Sequence, residues 1–328
     1  MVQEIVNLHS TGMERDVDVL GKYRAVSNKL KKRFLKKPNV AEGSEQFASL
    51  AKNLKQQECP QYAAFCSLAQ ARCEQTLSNP AGETQALTDA ARSFLQAQAA
   101  ERDLQCPTFE EHLTAAINCY SHAIRVHIEN KQSALAAALC IELGNALKSF
   151  DKPGEAMLHF QRAAELQAQS PLDCLHSLGL VASCKIDTKD YDGALTVLTE
   201  MAYLAQERGG SPSGKPIGAF ADILARCEVS RVLLLMLLQP TPQRIRPEHA
   251  QTLEKYAWES NSLDSLAAQC LGEDLFLLLQ SVVMACQSRE LDSLRALQTD
   301  LWSHLSAEQN QLLHLVIKEL TYPSGEGL

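Results

Sequence analysis

Leu143-Gly-Asn-Ala-Leu-Lys-Ser-Phe-Asp-Lys-Pro-Gly-Glu-Ala-Met-Leu-His-Phe-Gln-Arg-Ala163 decides the fold. Leading into it and through it, Leu135, Leu139, Leu143, Ala146, Leu147 and Phe150 recur at helical spacing and make one apolar face. Asp151-Lys152-Pro153-Gly154 breaks that pattern, with Pro153 suited to a first helical turn and Asp151 to a cap. Ala156, Phe160 and Ala163 then form the face of a second helix. Ala and Gly let two antiparallel helices approach closely, and one large residue fills the hole that remains.

This is the tetratricopeptide arrangement. Its first helix carries a Leu-Gly pair, and its second carries Ala, an aromatic four residues later and Ala three after that. Here Leu143-Gly144 is followed by Ala156, Phe160 and Ala163. Ala194, Leu198 and Met201 repeat the motif 38 residues later, with Leu in place of the aromatic, and Ala116, Tyr120 and Ala123 give it 40 residues earlier. A strict repeat would hold to about 34 residues, so these repeats are degenerate, with turns of varying length.

Working outward, Ser170-Pro171 opens another helix, and Asp190-Tyr191-Asp192-Gly193 marks a further break before Ala194, Leu195, Leu198, Ala202 and Ala205. Toward the N-terminus, Val19, Tyr23, Val26, Leu30 and Phe34 fall on one stripe, which Pro38 ends. Helices are expected over about 44–58, 61–77, 83–104 and 109–130, the last opened by a Thr108/Glu111 capping box. Gly209 to Gly218 reads as a flexible linker. Beyond it, helices are expected over about 218–239, 247–259, 263–286, 289–302 and 306–320, with Pro247 in a first turn and Ser306/Gln309 as a capping box. The expected division is a flexible terminus over 1–13, tetratricopeptide-like repeats over 14–208, a Gly/Pro/Ser linker over 209–217, helical hairpins over 218–320 and a flexible tail over 321–328. The fold class is all-α, a tetratricopeptide-like α-solenoid of antiparallel helical hairpins.

Composition agrees. Apolar residues make up 45% of the chain but aromatics only 5%, and Ala and Leu carry the difference, which favours helices over strands. With 328 residues the chain buries a core without staples. No signal peptide is legible in the polar, charged stretch 1–20, and apolar runs such as Val232–Leu238 and Leu275–Leu279 are far short of the ~20 residues of a membrane helix. The chain reads as soluble and intracellular.

Little in the sequence calls for catalysis. None of the 11 cysteines forms a CxxC pair. Cys59, Cys66 and Cys73 are seven apart, on one helix face but too distant to bridge, and read as small buried apolar residues in a reducing compartment. Gly209 to Lys215 fits the start of a phosphate loop, but Pro216 stands where Ser or Thr should hold magnesium and no strand leads in. The nine histidines are scattered; His122 and His127 are the nearest pair in the repeat region and carry no metal-ligand motif. We expect no enzyme, no cofactor and no metal.

Charge is more informative. The net charge of -8 argues against general nucleic-acid binding. Yet Lys22, Arg24, Lys29, Lys31, Lys32, Arg33, Lys36 and Lys37 form an acid-free run of eight cations, which leaves -16 on the remainder. Such a run serves as a solvated helix face, as a docking surface for an acidic partner, or in nuclear import or attachment to an anionic membrane. The helices at 228–238 and 274–285 are apolar nearly all round and must be buried, in their own domain or against a partner. Leu234, Leu235, Leu238, Phe276 and Leu277 are therefore candidate partner contacts alongside the basic run.

Several runs then resemble one family. Lys29-Leu-Lys-Lys-Arg-Phe-Leu-Lys-Lys-Pro-Asn-Val-Ala-Glu42, Arg226–Leu235, Glu248–Tyr256, Asp274–Gln280, Ala307–Asn310 with Leu312–Val316, and the closing Pro323-Ser-Gly-x-Gly are similar to the huntingtin-associated proteins encoded within an intron of the factor VIII gene. The resemblance covers almost the whole chain. It implies a tetratricopeptide-like α-solenoid that binds huntingtin, a very large HEAT-repeat protein, and a link to early endosomes through a Rab-family GTPase. It also implies a cytoplasmic protein of vesicle transport, and the basic run leaves room for a nuclear pool. Members can carry an Ala/Gly-rich leader and a long Pro-rich insert; here the leader is short and polar, and the insert shrinks to Gly209–Gly218. The expected function is a non-enzymatic scaffold lodged against a second helical-repeat protein, whose all-apolar C-terminal helices predict a large, partly hydrophobic interface. The rival is a peptide-binding adaptor, for which the first helices of 137–208 offer few cations, mainly Lys148 and Lys185.

Overall fold

The computed structural model describes residues 19–31, 38–209, 218–256 and 266–322. Their regular structure is helical: α1 over 19–30, α2 (Val40–Gln56), α3 (Pro60–Thr76), α4 (Pro80–Asp103), α5 (Glu111–Glu129), α6 (Ser133–Ser149), α7 (Pro153–Leu166), α8 (Pro171–Asp187) and α9 (Tyr191–Gly209), then α10 (Ala219–Leu238), α11 (Pro247–Glu254), α12 (Leu266–Leu271), α13 (Glu273–Ser288), α14 (Leu291–Leu301) and α15 (Ala307–Thr321). Consecutive helices pack on each other, α2 on α3, α3 on α4, α4 on α5, α7 on α8, α8 on α9 and α9 on α10. This is the all-α class of stacked helical hairpins expected of an α-solenoid.

The chain divides into two compact units, Met1–Ala146 and Leu147–Leu328, the boundary falling inside α6. The expected linker at 209–217 lies outside the described residues apart from Gly209, as does the phosphate-loop look-alike that begins there. The stretch 1–13 is also outside them, while Thr321 still belongs to α15.

One turn recurs through both units. The connections 57–59, 77–79, 130–132, 150–152 and 188–190 are each three residues long. In each, the middle residue is left-handed: Glu58, Ser78, Lys131, Asp151 and Lys189 have φ between 54° and 62°. The following amide bonds back five residues, as in Cys59 N to Leu54 O at 3.0 Å and Lys152 N to Leu147 O at 3.0 Å. These are Schellman caps, which usually use glycine because L-residues cost about 1–2 kcal/mol in that conformation. Asp151 is thus the left-handed residue and not the N-cap expected for it; Lys152 occupies the cap. Ser78→Gly and Lys189→Gly should each stabilise the chain by about 0.5–1 kcal/mol, net of glycine's larger unfolded-state entropy. Thermal unfolding followed by circular dichroism should show a higher midpoint for each; a lower one would refute the assignment.

In unit 1 the expected stripe of α1 is turned inward. Val19 packs with Ala51, Leu54, Ala63 and Cys66, and Val26 with Phe47, Ala69 and Cys73. Tyr23 meets Phe47 with ring centroids 5.2 Å apart. Gly43 allows this approach, since a Cβ there would lie 2.6 Å from the Leu30 side chain. Farther on, Glu142 of α6 ties three helices together. It takes both Nε and Nη2 of Arg92 on α4, at 2.6 and 2.9 Å, and the hydroxyl of the fully buried Tyr120 on α5 at 2.8 Å. The hydrogen bond from Arg92 holds the Glu142 carboxyl below its usual range, and burial pushes the Tyr120 phenol up.

The expected face of α6 needs one change. Leu139, Leu143 and Leu147 are buried, but Leu135 is 52% exposed, and Ala136 and Cys140 take the inner positions. The motif residues Leu143, Gly144, Ala156, Phe160, Ala163, Ala194 and Leu198 are all buried, as are Ala116, Tyr120 and Ala123. The Thr108/Glu111 capping box does not form. Thr108 Oγ1 instead accepts from Glu110 N at 2.8 Å, a tight turn that delays the start of α5 to Glu111.

Unit 2 is built around α10, which packs on α9, α11, α12, α13 and α15. From Cys227 to Leu238 only Leu237 is not buried. The helix expected over 263–286 is two: Gly272, at φ +79°, separates α12 from α13. Pro247 does open α11, and Ser306 and Gln309 do form a reciprocal capping box on α15.

Candidate partner-binding surfaces

The basic run begins on α1. Because Val19, Tyr23, Val26 and Leu30 face inward, the cations fall on the outer side, where Lys22, Arg24, Lys29 and Lys31 are exposed. Lys32, Arg33, Lys36 and Lys37 lie outside the described residues. Lys29 reaches across to α2, donating to Gln46 Oε1 at 3.2 Å and sitting 3.8 Å from Glu42 Oε1. The cationic helix thus meets acidic surface on its own unit at Lys29, and Arg24 and Lys31 are exposed.

The apolar candidates fare differently. Leu234, Leu235, Leu238 and Phe276 are buried in unit 2, and only Leu277 is substantially exposed, at 45%. Phe276 stacks on Tyr256 with centroids 4.9 Å apart. Of the two expected alternatives, burial in its own domain or against a partner, α10 takes the first: it is wrapped by its own neighbours, which is why it tolerates apolar residues all round.

Wrapping α10 also encloses charge. Arg231 Nη1 lies 3.2 Å from Glu228 Oε2, and Lys255 Nζ 3.2 Å from Glu228 Oε1. Arg231 Nη2 donates to Thr252 Oγ1 at 2.7 Å. Burial pushes the phenol of neighbouring Tyr256 up and holds His249 below the usual imidazole range.

A groove of about 490 Å³ runs along unit 2 between α8, α9, α10 and the start of α15. Its floor is apolar, with Leu175, Gly179, Leu198, Met201 and Ile223, while His176, Arg226 and Glu308 stand at its edge. Sequence spacing carries no signal for this groove, which is assembled from four helices. Lys148 and Lys185, the main cations available to a peptide adaptor, are occupied: Lys148 pairs with Asp187 at 2.8 Å and Lys185 with Asp190 at 2.5 Å.

The residues weighed for chemistry in the sequence are placed as follows among the described residues. All 11 cysteines are free thiols. Burial raises Cys66 and Cys119 to about 11, and Cys227 and Cys286 to about 12, which makes them poor nucleophiles. His122 faces Glu83 at 3.3 Å, and His127 shares a hydrogen bond with Gln132 at 2.7 Å. Among the described residues, no group of His, Cys, Asp and Glu is placed to hold a metal, and no helix is long and apolar enough to cross a membrane.

The 40-kDa huntingtin-associated protein of Rattus norvegicus is 47% identical to this chain over 363 aligned positions, covering 95% of each. That of Mus musculus is 47% identical over 361, again covering 95% of each. The chain belongs to the huntingtin-associated protein family. No family model matches it. The 363 aligned positions exceed the 328 residues of this chain, so the rat member of the huntingtin-associated protein family carries at least 35 residues that this one lacks. Four of the runs that carry the resemblance lie on helices of unit 2 that pack around α10. Arg226–Leu235 lies in α10, Glu248–Tyr256 spans α11, Asp274–Gln280 lies in α13 and Ala307–Asn310 opens α15. Gln309 Nε2 donates to Ser230 Oγ at 3.1 Å and Arg226 O at 3.2 Å, tying the last run to the first.

Proposed function

We propose that this chain is a non-enzymatic helical-repeat partner that binds and stabilises huntingtin, and links it to early endosomes through a Rab-family GTPase. The observation that carries the first part is the match over 95% of the chain to relatives named for huntingtin association. Stacked helical hairpins support it physically, because they offer broad faces that a second repeat protein can cover. The Rab and endosome link rests on the sequence resemblance. Co-expression of the full chain with huntingtin should give a complex that co-elutes on size-exclusion chromatography; separate elution overturns the reading. Recruitment of that complex by a GTP-loaded early-endosomal Rab protein tests the second part.

The basic run gives this reading a charge test. Reversing Lys31, Lys32 and Arg33 to Glu should weaken the complex about tenfold at low salt and much less at about 0.5 M. Unchanged affinity at both ionic strengths would show that the run is only a solvated face.

The groove in unit 2 favours a second reading, a peptide-binding adaptor. Its apolar floor and Arg226 suit an apolar peptide ending in a carboxylate. Micromolar binding of such peptides, lost in Arg226→Glu, would favour the adaptor over the huntingtin partner.

A further inference from the structure

The connection between α4 and α5 departs from the rule set by its neighbours. It starts as they do, with Gln105 left-handed and Cys106 N bonded to Glu101 O at 3.0 Å. The others then enter the next helix at once, whereas here Pro107, Thr108, Phe109 and Glu110 intervene. Closing the hairpin does not require these four residues. They carry Phe109, which is 99% exposed, beside Leu104 at 74% and the exposed Cys106 and Pro107.

The insertion is held firmly. Glu111 Oε2 accepts from Phe109 N at 3.1 Å and from Thr108 Oγ1 at 3.2 Å, and Thr108 Oγ1 accepts from Glu110 N at 2.8 Å. Below it, the buried Gln98 side chain accepts from Leu113 N at 3.1 Å and fixes the start of α5. A rigid loop that spends four extra residues to hold an aromatic ring in water is unfavourable for the free chain and suited to binding, since the ordering cost of the anchor is met in advance. The surroundings define the complement. Asp103 and Glu110 flank the tip beside Arg102, while Glu101 pairs with His112 at 3.1 Å and Glu111 is engaged in holding the loop.

We infer that Phe109 is an anchor that enters an apolar pocket rimmed by Lys and Arg on the binding partner, with Leu104 as its neighbour and the flanking acids facing the rim. This rests on the huntingtin reading, for which it names a contact on unit 1. Interface energy concentrates in buried aromatic anchors, while rim charges act mainly on association rate and salt dependence.

The test measures the affinity of the purified full chain for huntingtin. Phe109→Ala should weaken it about a hundredfold, and Phe109→Leu by less, with thermal unfolding unchanged because the ring packs on nothing. Asp103→Lys should weaken it about threefold at low salt and not at about 0.5 M salt. Wild-type affinity in Phe109→Ala overturns this inference and leaves the huntingtin reading standing. Failure of the wild-type chain to bind overturns both.

Discussion

Glu228→Ala is expected to destabilise the chain by about 3–5 kcal/mol, the range for removing one member of a buried ion pair. Both Glu228 and Arg231 have side chains only 8% exposed. The carboxylate takes Arg231 on one oxygen and Lys255 on the other, and Arg231 continues to Thr252, which in turn donates to Glu248 O at 2.9 Å. Truncation leaves a guanidinium enclosed among α10 and α11 with no counter-charge. Lys255 is 35% exposed and can turn to water, but Arg231 cannot. The loss should therefore fall mostly on Arg231. Glu228→Met combined with Arg231→Met should recover much of the stability, because an apolar pair of similar volume carries no desolvation penalty. Denaturant unfolding of the single and double variants decides this. A single-variant loss below about 1 kcal/mol would mean that water or a rearranged Arg231 already compensates the charge.

That cluster also shows where the sequence stops being legible. The helical hairpins over α6 to α9 can be read directly, because small and large residues alternate at helical spacing and each break carries Pro or Gly. Glu228 and Arg231 stand on α10 among leucines and valines, and their partners Thr252 and Lys255 come 21 and 27 positions later. Local spacing holds no signal for such a pairing. It likewise reads Val232–Leu238 as apolar surplus, when α9, α11, α12, α13 and α15 cover it. Gly272 was invisible for another reason: the apolar residues on either side keep helical phase, so the break shows only in its φ of +79°. The turn at Asp151 departs from its expected cap because left-handed positions here are filled by Glu, Ser, Lys and Asp, which do not announce a cap as Gly would. Of the candidate surfaces, the basic face of α1 was legible from charge alone. The groove and the Phe109 loop were not, since one is assembled from four helices and the other is visible only against the three-residue rule of its neighbours.

Phe160→Ala tests whether the motif that decides the fold also sustains it, and it is expected to cost about 3–5 kcal/mol. Phe160 is fully buried on α7, one turn from Ala156 and one from Ala163, which are also fully buried. Those alanines bring the backbones close, so the surroundings cannot collapse into the space the ring leaves, and the cavity cost adds to the lost transfer energy. Phe160→Leu should lose much less, since leucine stands at the equivalent position Leu198 of α9 and is itself buried. Ala156→Leu should fail for the opposite reason, overpacking a contact that admits only a methyl group, at about 1–3 kcal/mol or more. The three variants together separate the two halves of the motif. If Ala156→Leu were neutral while Phe160→Ala was costly, the helix would pack by its large residue alone and the small residues would be incidental. If Phe160→Ala were neutral, the stretch Leu143–Ala163 would not be what holds these helices together, whatever its pattern.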